Sequence, residues 1–74
     1  MAVMLRPVGM LKDYVGGRDT LTVPAGRSVR ETLAAVGIPP ELVALVVVNE
    51  VQESKDYVLQ EGDHLRVMAL IGGG

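Results

Sequence analysis

Residues 28–40 read SVRETLAAVGIPP, and this stretch contains the start, the apolar stripe and the end of one helix. Ser28 and Glu31 form a capping-box pattern, because the side chain of each can bond the backbone N–H of the other. The apolar residues that follow at helical spacing are Val29, Leu33 and Val36. Gly37 favours the left-handed backbone that ends helices, and the two prolines after Ile38 prevent continuation. The stretch therefore predicts one helix with a single apolar face.

Two strands are predicted before this helix, in residues 2–10 and 20–23. The first alternates, with Val3, Leu5 and Pro7 on one face and Met4, Arg6 and Val8 on the other. We expect it to end or bend near its proline, which lacks the N–H that a sheet needs. The second alternates as well, with its leucine and valine inward. The residues between them predict a turn, closed by a glycine of the Gly16-Gly17 pair, so that the two strands form a hairpin with a decorated loop.

Two further strands are predicted after the helix, in residues 42–50 and 64–71. The first of them, LVALVVVNE, is a β-branched run without polar alternation. Either this strand is covered on both faces or its outer face meets a partner. The stretch from 51 to 63 is expected to be irregular, with a tight turn at Gly62. The residues of the last strand that face away from the core are His64, Arg66, Met68 and Leu70.

The order of elements predicts an α+β fold, in which a mixed sheet of four to five strands packs on one main helix. The 74 residues suffice for one domain, which we place at 1–71, followed by a flexible glycine tail at 72–74. The chain has no cysteine, so disulfides and thiolate metal sites are excluded, and a cytoplasmic location fits. The longest apolar run has seven residues, far fewer than the roughly 20 of a membrane helix, and no signal peptide is apparent.

The net charge of −2 is distributed unevenly along the chain. Residues 1–30 contain five Lys/Arg against two Asp/Glu, whereas residues 31–74 contain two against seven. No basic block offers several phosphate contacts, so we expect no binding to nucleic acid. The acidic half, which includes the tail, can steer the chain towards a basic partner surface. The simpler interpretation is an ordinary solvated acidic surface.

No catalytic site is recognisable in the residues themselves. His64 is the only histidine, and it lies beside a turn, where a solvated surface residue is the simplest interpretation. The spacing of Asp56, Glu61 and Asp63 matches no calcium loop. Neither the paired glycines nor PAGRS (24–28) has the lysine and spacing of a phosphate-binding loop. We therefore expect no metal site and no enzymatic activity of the chain alone.

The last residues, ALIGGG at 69–74, offer chemistry that the rest of the chain lacks. The α-carboxylate of Gly74, with a reference pKa of about 3.5, becomes an electrophile if a partner joins it to the α-phosphate of ATP. Glycine has no side chain and accepts many backbone angles, so such a tail fits a narrow channel. Ordering it costs roughly 1–2 kcal/mol per residue. A docking surface has to offset that cost, and Met68, Leu70 and the outer face of Val43–Val48 are candidates.

These features together resemble one family. The order of elements, VVVNE at 46–50, LQEGD at 59–63 and a last strand that runs into a terminal Gly-Gly are similar to the ubiquitin-like β-grasp sulfur carriers. Those carriers are the small subunit of molybdopterin synthase and the sulfur carrier of thiamine thiazole synthesis. The most specific elements are L-x-x-G-D at Leu59–Asp63 and the Gly73-Gly74 end. The resemblance covers nearly the whole chain and implies a ubiquitin-like β-grasp fold.

The resemblance also implies that the chain is a protein cosubstrate and not an enzyme. In that family an E1-like adenylating enzyme uses ATP and Mg to adenylate the terminal glycine, here Gly74, and a sulfur donor protein supplies the sulfur of a thiocarboxylate. A cofactor synthase subunit then docks the carrier and uses the sulfur. Gly73 is the slim neighbour of the reactive residue, and Gly72 is an extra spacer, since the family pattern has two glycines. The implied docking residues are Val46, Val48, Met68 and Leu70.

Three alternatives remain at the level of sequence. The loop Leu11–Asp19 is intermediate in length between those of the two branches, which slightly favours the molybdopterin branch over the thiazole branch. A ubiquitin-like protein modifier shares every feature of the tail and passes the activated Gly74 to a target lysine; Lys12 and Lys55 are the only lysines here. A β-grasp interaction module with an inert tail predicts that deleting Gly73 and Gly74 leaves function intact.

Overall fold

The computed structural model describes residues 2–69, and five strands and one α-helix make up its main elements. The strands are β1 Val3–Pro7, β2 Leu21–Val23, β3 Val43–Val48, β4 Val51–Glu53 and β5 His64–Ala69, and helix α1 is Val29–Val36. Short 3₁₀ helices are formed by Gly9–Val15 and Pro40–Leu42. The strands form one mixed sheet in the order β2-β1-β5-β3-β4. The predicted α+β architecture, with one helix on a mixed sheet, is confirmed.

Helix α1 begins and ends where its local sequence predicts. The Glu31 amide donates to the Ser28 hydroxyl at 3.1 Å, and the Ser28 amide donates to the Glu31 carboxylate at 3.0 Å. The hydrogen bond from the Ser28 amide holds the pKa of the Glu31 carboxyl below its usual value. At the other end Gly37 has a φ of 93°, and its amide bonds the carbonyls of Leu33 and Ala34. The caps that the local sequence predicts are therefore present at both ends of the helix, and the amides of Val29 and Arg30 also donate to the carbonyls of Tyr57 and Lys55.

The helix packs on one face of the sheet, which we call the inner face. The buried side chains between the two layers are aliphatic and include Val29 and Leu33 of α1 and Val3, Leu5, Leu65 and Val67 of the sheet. Within the described part of the chain, α1 lies on the inner face only, and we call the opposite face the outer face. Among residues 2–69, no helix is both long and apolar enough to cross a membrane.

The stretch after β3 is more regular than the sequence indicates. β3 and β4 form a hairpin through Asn49 and Glu50, whose φ angles of 50° and 71° are those of a two-residue primed turn. The expectation of an irregular segment from 51 to 63 is wrong for Val51–Glu53, a three-residue edge strand too short and too polar to show a period. The expected tight turn at Gly62 is confirmed, with a φ of 84°.

The first hairpin has the expected form. β1 pairs with β2 in antiparallel register and ends at Pro7. The decorated loop contains the 3₁₀ helix Gly9–Val15, which ends at Gly16 with a φ of 70°. β1 also pairs with β5, but in parallel, so the earliest and the latest strands of the chain lie side by side. This arrangement makes β5 the central strand of the sheet.

Candidate functional site

The strand that leads to the glycine tail is held on both sides to the end of the described chain. The amide of Val8 donates to the carbonyl of Val67 at 3.0 Å, and Ala69 pairs with Val43. The predicted docking residue Leu70 and the predicted tail residues Gly72, Gly73 and Gly74 lie outside the described residues. Because β5 is central, the chain reaches Ala69 between β1 and β3.

That surface carries a group of three apolar side chains on the outer face. Leu45 lies opposite Met68 across the β3–β5 pair, and Val47 lies opposite Arg66. All three apolar side chains are half-buried, whereas their neighbours on the inner face are buried. We call Leu45, Val47 and Met68 the outer apolar cluster. It provides hydrophobic contact area on the last strand before the tail.

Two of the predicted docking residues are in the core instead. Val46 and Val48 are each 3% exposed, on the inner face, opposite Val67 and Leu65 of β5. Their assignment to a docking face is therefore wrong for the folded domain. The outer face of β3 presents Leu45 and Val47 in their place, and Met68 is on the expected face.

A β-bulge explains why β3 shows no simple alternation. Val43 pairs with Ala69 and Leu45 with Met68, so that Ala44 is an extra residue on β3. As a result Val43 and Val46 are both buried although they are three positions apart. The strand is not covered on both faces, since Ala44 is exposed and the residues of the outer face are only half-buried.

The LQEGD motif forms a hydrogen-bonded cluster at the start of β5. Asp63 is 6% exposed, and its carboxylate accepts from the Asn49 side chain at 2.8 Å, the Tyr57 hydroxyl at 3.0 Å and the Gln60 amide at 2.8 Å. Asn49 in turn accepts from the His64 amide at 2.9 Å. We call Asp63, Asn49, Tyr57 and Gln60 the Asp63 cluster. It ties the β3–β4 turn and the preceding loop to the first residue of the central strand.

The ionisation of this cluster follows from its contacts. Burial is the largest influence on Asp63 and opposes its charge, but the hydrogen bonds from the Gln60 amide, Asn49 and Tyr57 outweigh it, so the pKa of the carboxyl lies below its usual value. The hydrogen bond to Asp63 raises the pKa of the Tyr57 hydroxyl. A carboxylate whose oxygens are already occupied in this way supports structure and is not available as a general base.

Within residues 2–69, no group of three or more His, Asp or Glu side chains has the geometry to hold a metal ion. His64 lies exposed at the start of β5, and Asp56 pairs with Arg30 at 3.2 Å. The described residues therefore offer a surface for contact and a strand that leads to the tail.

Comparison with known proteins identifies the family. A family model described as the ThiS family matches residues 8–74. The chain belongs to the ThiS family. The match includes the three terminal glycines as well as β5 and the Asp63 cluster. No curated protein sequence matches this ThiS-family chain significantly.

Solved structures show the fold of this ThiS-family chain. The crystal structure of SAMP1 from Haloferax volcanii superposes with a TM-score of 0.71 at 15% identity, covering all of both chains. Urm1 from Trypanosoma brucei gives 0.67 at 18% identity, covering 99% of this chain and 95% of that one. A chain in the complex of subunits 1 and 2 of the molybdopterin-converting factor from Helicobacter pylori 26695 gives 0.64 at 18%, with complete coverage of both. The ubiquitin-like β-grasp fold is thereby confirmed.

The sequence pattern indicated the outer face of Val43–Val48 but did not assign Leu45 and Val47 to it, and it gave no sign of the arginine of β1 that borders them. The bulge at Ala44 leaves no trace in a run of valines and leucines, so the inward and outward residues of β3 cannot be assigned by counting. Arg6 lies opposite Arg66 only because β1 pairs with β5 in parallel. That pairing joins residues sixty positions apart, and no local pattern indicates it.

Proposed function

We propose that this ThiS-family chain is a sulfur carrier whose terminal glycine, Gly74, is adenylated and then converted to a thiocarboxylate that donates sulfur in cofactor biosynthesis. The observation that carries the proposal is the family match from residue 8 through the three glycines. The resemblance of the sequence to the sulfur carriers supports it, as does the β-grasp fold. We place this activity in the cytoplasm, because the chain has no cysteine and needs ATP.

The chemistry has two steps, the first at a carboxylate oxygen of Gly74 and the second at its carboxyl carbon. In the first, a carboxylate oxygen attacks the α-phosphorus of ATP, and pyrophosphate leaves with the Mg ion that the activating enzyme supplies. In the second, sulfide released by the sulfur donor protein attacks the acyl carbon, and AMP leaves with the original oxygen. The chain supplies the carboxylate and a slim tail, while an E1-like adenylating enzyme supplies the catalytic groups. The chain itself binds no cofactor in this scheme.

Binding of the tail in a partner's active site requires that the folded domain also docks on that partner. Gly72 and Gly73 have no side chains to anchor them, so ordering the tail costs roughly 1–2 kcal/mol per residue. The outer apolar cluster offsets this cost by burying hydrophobic surface against the partner, at about 25 cal/mol per Å². We propose Met68, Leu70, Leu45 and Val47 as the docking residues, in place of Val46 and Val48.

Three partners follow from the proposed chemistry: the E1-like enzyme, a sulfur donor protein and a cofactor synthase subunit. The Helicobacter pylori structure is a complex of subunits 1 and 2 of the molybdopterin-converting factor. That complex supports a synthase subunit as the receiver here. The decorated loop between β1 and β2 slightly favours the molybdopterin branch over the thiazole branch, whereas the family model is that of the ThiS family.

The proposal is tested by the intact mass of the full chain after incubation with ATP, Mg, a sulfide source and the host's E1-like enzyme. We expect a mass gain equal to the exchange of one oxygen for sulfur, and no gain in a chain lacking Gly74. A matched control changes a glycine outside the tail, Gly26→Ala, and should retain the gain in samples that circular dichroism shows to be folded. If the wild-type chain stays unmodified while the same enzyme preparation is shown to be active with another carrier protein, the proposal is overturned.

The same preparation distinguishes the remaining alternatives. Thiocarboxylated protein mixed with each candidate synthase identifies the cofactor branch by the product that forms. A protein modifier instead yields isopeptide adducts on host proteins. Adducts on the chain itself are disfavoured, because Lys12 pairs with Asp19 at 2.9 Å and the Lys55 ammonium donates to the Pro40 carbonyl at 2.7 Å. An inert module shows neither the mass gain nor adducts.

A further inference from the structure

Two arginines lie directly opposite each other on the outer face of the sheet. Arg6 of β1 pairs in register with Arg66 of β5, and the two strands are parallel. Neighbouring strands are about 4.8 Å apart, so the two side chains leave the sheet side by side. Like charges in directly opposed positions destabilise a sheet. Repulsion between the two arginines therefore lowers the stability of the free domain, and an anion between the two guanidinium groups would offset this repulsion.

The chain's own carboxylates compensate this pair only weakly. Glu50 approaches Arg66 at 4.0 Å, the limit for an ion pair, and its side chain is 85% exposed. Asp19 lies near Arg6 but is bound to Lys12 at 2.9 Å. Among residues 2–69, no carboxylate lies within 4.0 Å of the Arg6 guanidinium. The centre of this surface therefore has positive charge that the described chain does not neutralise.

The surface is also shaped to receive a ligand group. A depression of about 70 Å³ is lined by both arginines, and its other lining residues include Met4, Val47 and Glu50. A second depression of about 340 Å³ continues from Arg6 to Lys12. Arg6 lines both depressions. We call the two depressions together the groove, and the second lies at the end of β1, where Pro7 pairs with Val67 of β5.

The groove adjoins the outer apolar cluster, since Val47 lies opposite Arg66 and belongs to both. We infer that this face binds an acidic segment of a protein partner, in which one carboxylate is shared by Arg6 and Arg66 and an adjacent apolar side chain contacts Val47 and Met68. The inference deepens the proposed function and rests on it, because the partner it assigns to this face is the activating enzyme. Paired arginines suit a carboxylate because the guanidinium fork donates two parallel hydrogen bonds.

The charge of the whole chain favours a protein over a nucleic acid in this groove. The net charge is −2, and the groove has three basic side chains with Asp19 and Glu50 at its ends. That number of phosphate contacts is too small for appreciable affinity to nucleic acid at physiological salt. An acidic protein segment is repelled by the net negative charge of the chain and attracted at the groove, so the charge pattern sets the orientation of the partner.

The test measures binding of the full chain to the host's E1-like enzyme by biolayer interferometry, at low and at physiological salt. We expect the double variant Arg6→Glu, Arg66→Glu to bind at least about tenfold more weakly, mainly through a slower association rate. Arg6→Gln, Arg66→Gln should show a smaller loss in the same direction, and circular dichroism confirms that each variant is folded. The matched control, Arg27→Glu with Arg30→Glu, makes the same charge change at the start of α1, on the other layer, and should bind like the wild type.

Each outcome has one meaning. If the outer-face variants bind like the control, or if the wild type shows no binding, the inference is overturned. If the outer-face variants bind the enzyme weakly but the wild type gains no sulfur in the mass assay, the inference holds and the sulfur-carrier proposal fails. If the wild type gains sulfur and the outer-face variants do so with an unchanged KM, the proposed function holds and the inference fails. A single-stranded oligonucleotide that binds the wild type more tightly than the enzyme does assigns the groove to phosphates and also overturns the inference.

Discussion

The two faces of β3 and β5 differ in what their side chains do. On the inner face the side chains that pack in the core are aliphatic, and all of them except Ala69 are buried, as Val46 and Leu65 illustrate. On the outer face the same strands present half-buried apolar side chains beside Arg66. The inner face thus provides free energy of folding, and the outer face is the one that we propose as the docking surface. Because side chains alternate along a strand, a substitution can be directed to either property alone.

The largest contrast is expected between Leu65→Ala and Met68→Ala. Leu65 is 1% exposed, and its truncation leaves a cavity that lowers the free energy of unfolding by about 3 kcal/mol. Met68 is on the outer face, and its truncation lowers the free energy of unfolding by about 1 kcal/mol or less. Urea denaturation measures the stability of both variants. In folded samples, binding to the activating enzyme should weaken for Met68→Ala and not for Leu65→Ala. Equal losses of stability would contradict the division between the faces.

The next effect concerns the Asp63 cluster. In Asp63→Asn the new amide cannot accept all three hydrogen bonds and turns an N–H group towards other donors, so we expect a loss of about 2 kcal/mol in the free energy of unfolding. The control Asp56→Asn removes an exposed carboxylate that pairs with Arg30 and should change stability little. If Asp63→Asn unfolds at the same urea concentration as the control, the cluster does not hold the start of β5.

The pH dependence of stability tests the same carboxylate. The pKa of Asp63 is lower in the folded state than its usual value of 3.8, so its contribution is complete above that value and is lost as the pH falls through the lowered pKa. Asp63→Asn should therefore show a shallower loss of stability on acidification than the wild type. Urea denaturation at a series of acidic pH values provides the comparison, and parallel curves would contradict the assignment.

The smallest effect has the opposite sign. Replacing Arg6 by Gln removes the like charge opposite Arg66, so we expect a gain of about 0.3 kcal/mol in the free energy of unfolding. Salt screens such repulsion, so the gain should shrink as ionic strength rises. Arg30→Gln, which removes a favourable pair with Asp56, serves as control and should not stabilise. A loss of stability in Arg6→Gln would mean that the pair is already neutralised within the domain.

Sequence patterns predict the local features of this fold well. The capping box, the glycine ends and the inward residues of β1, β2 and β5 all depend on neighbours in the chain, and the structure confirms them. The position of β4, the bulge at Ala44 and the parallel pairing of β1 with β5 depend on distant partners. For that reason the order of the family's elements could be recognised, while Val46 and Val48 were assigned to the wrong face and the opposition of Arg6 to Arg66 was not visible.

The central position of β5 also governs how the domain folds. β1 and β3 meet only through β5, so without it the sheet separates into two hairpins, each only marginally stable in water. Pairing Arg6 with Arg66 joins segments at a large sequence separation, which slows folding relative to helical proteins of similar length. During synthesis the sheet cannot close until β5 has been made. The strand that leads to the glycines is therefore the one that completes the fold, and a folded surface for docking exists only in chains that have been synthesised through it.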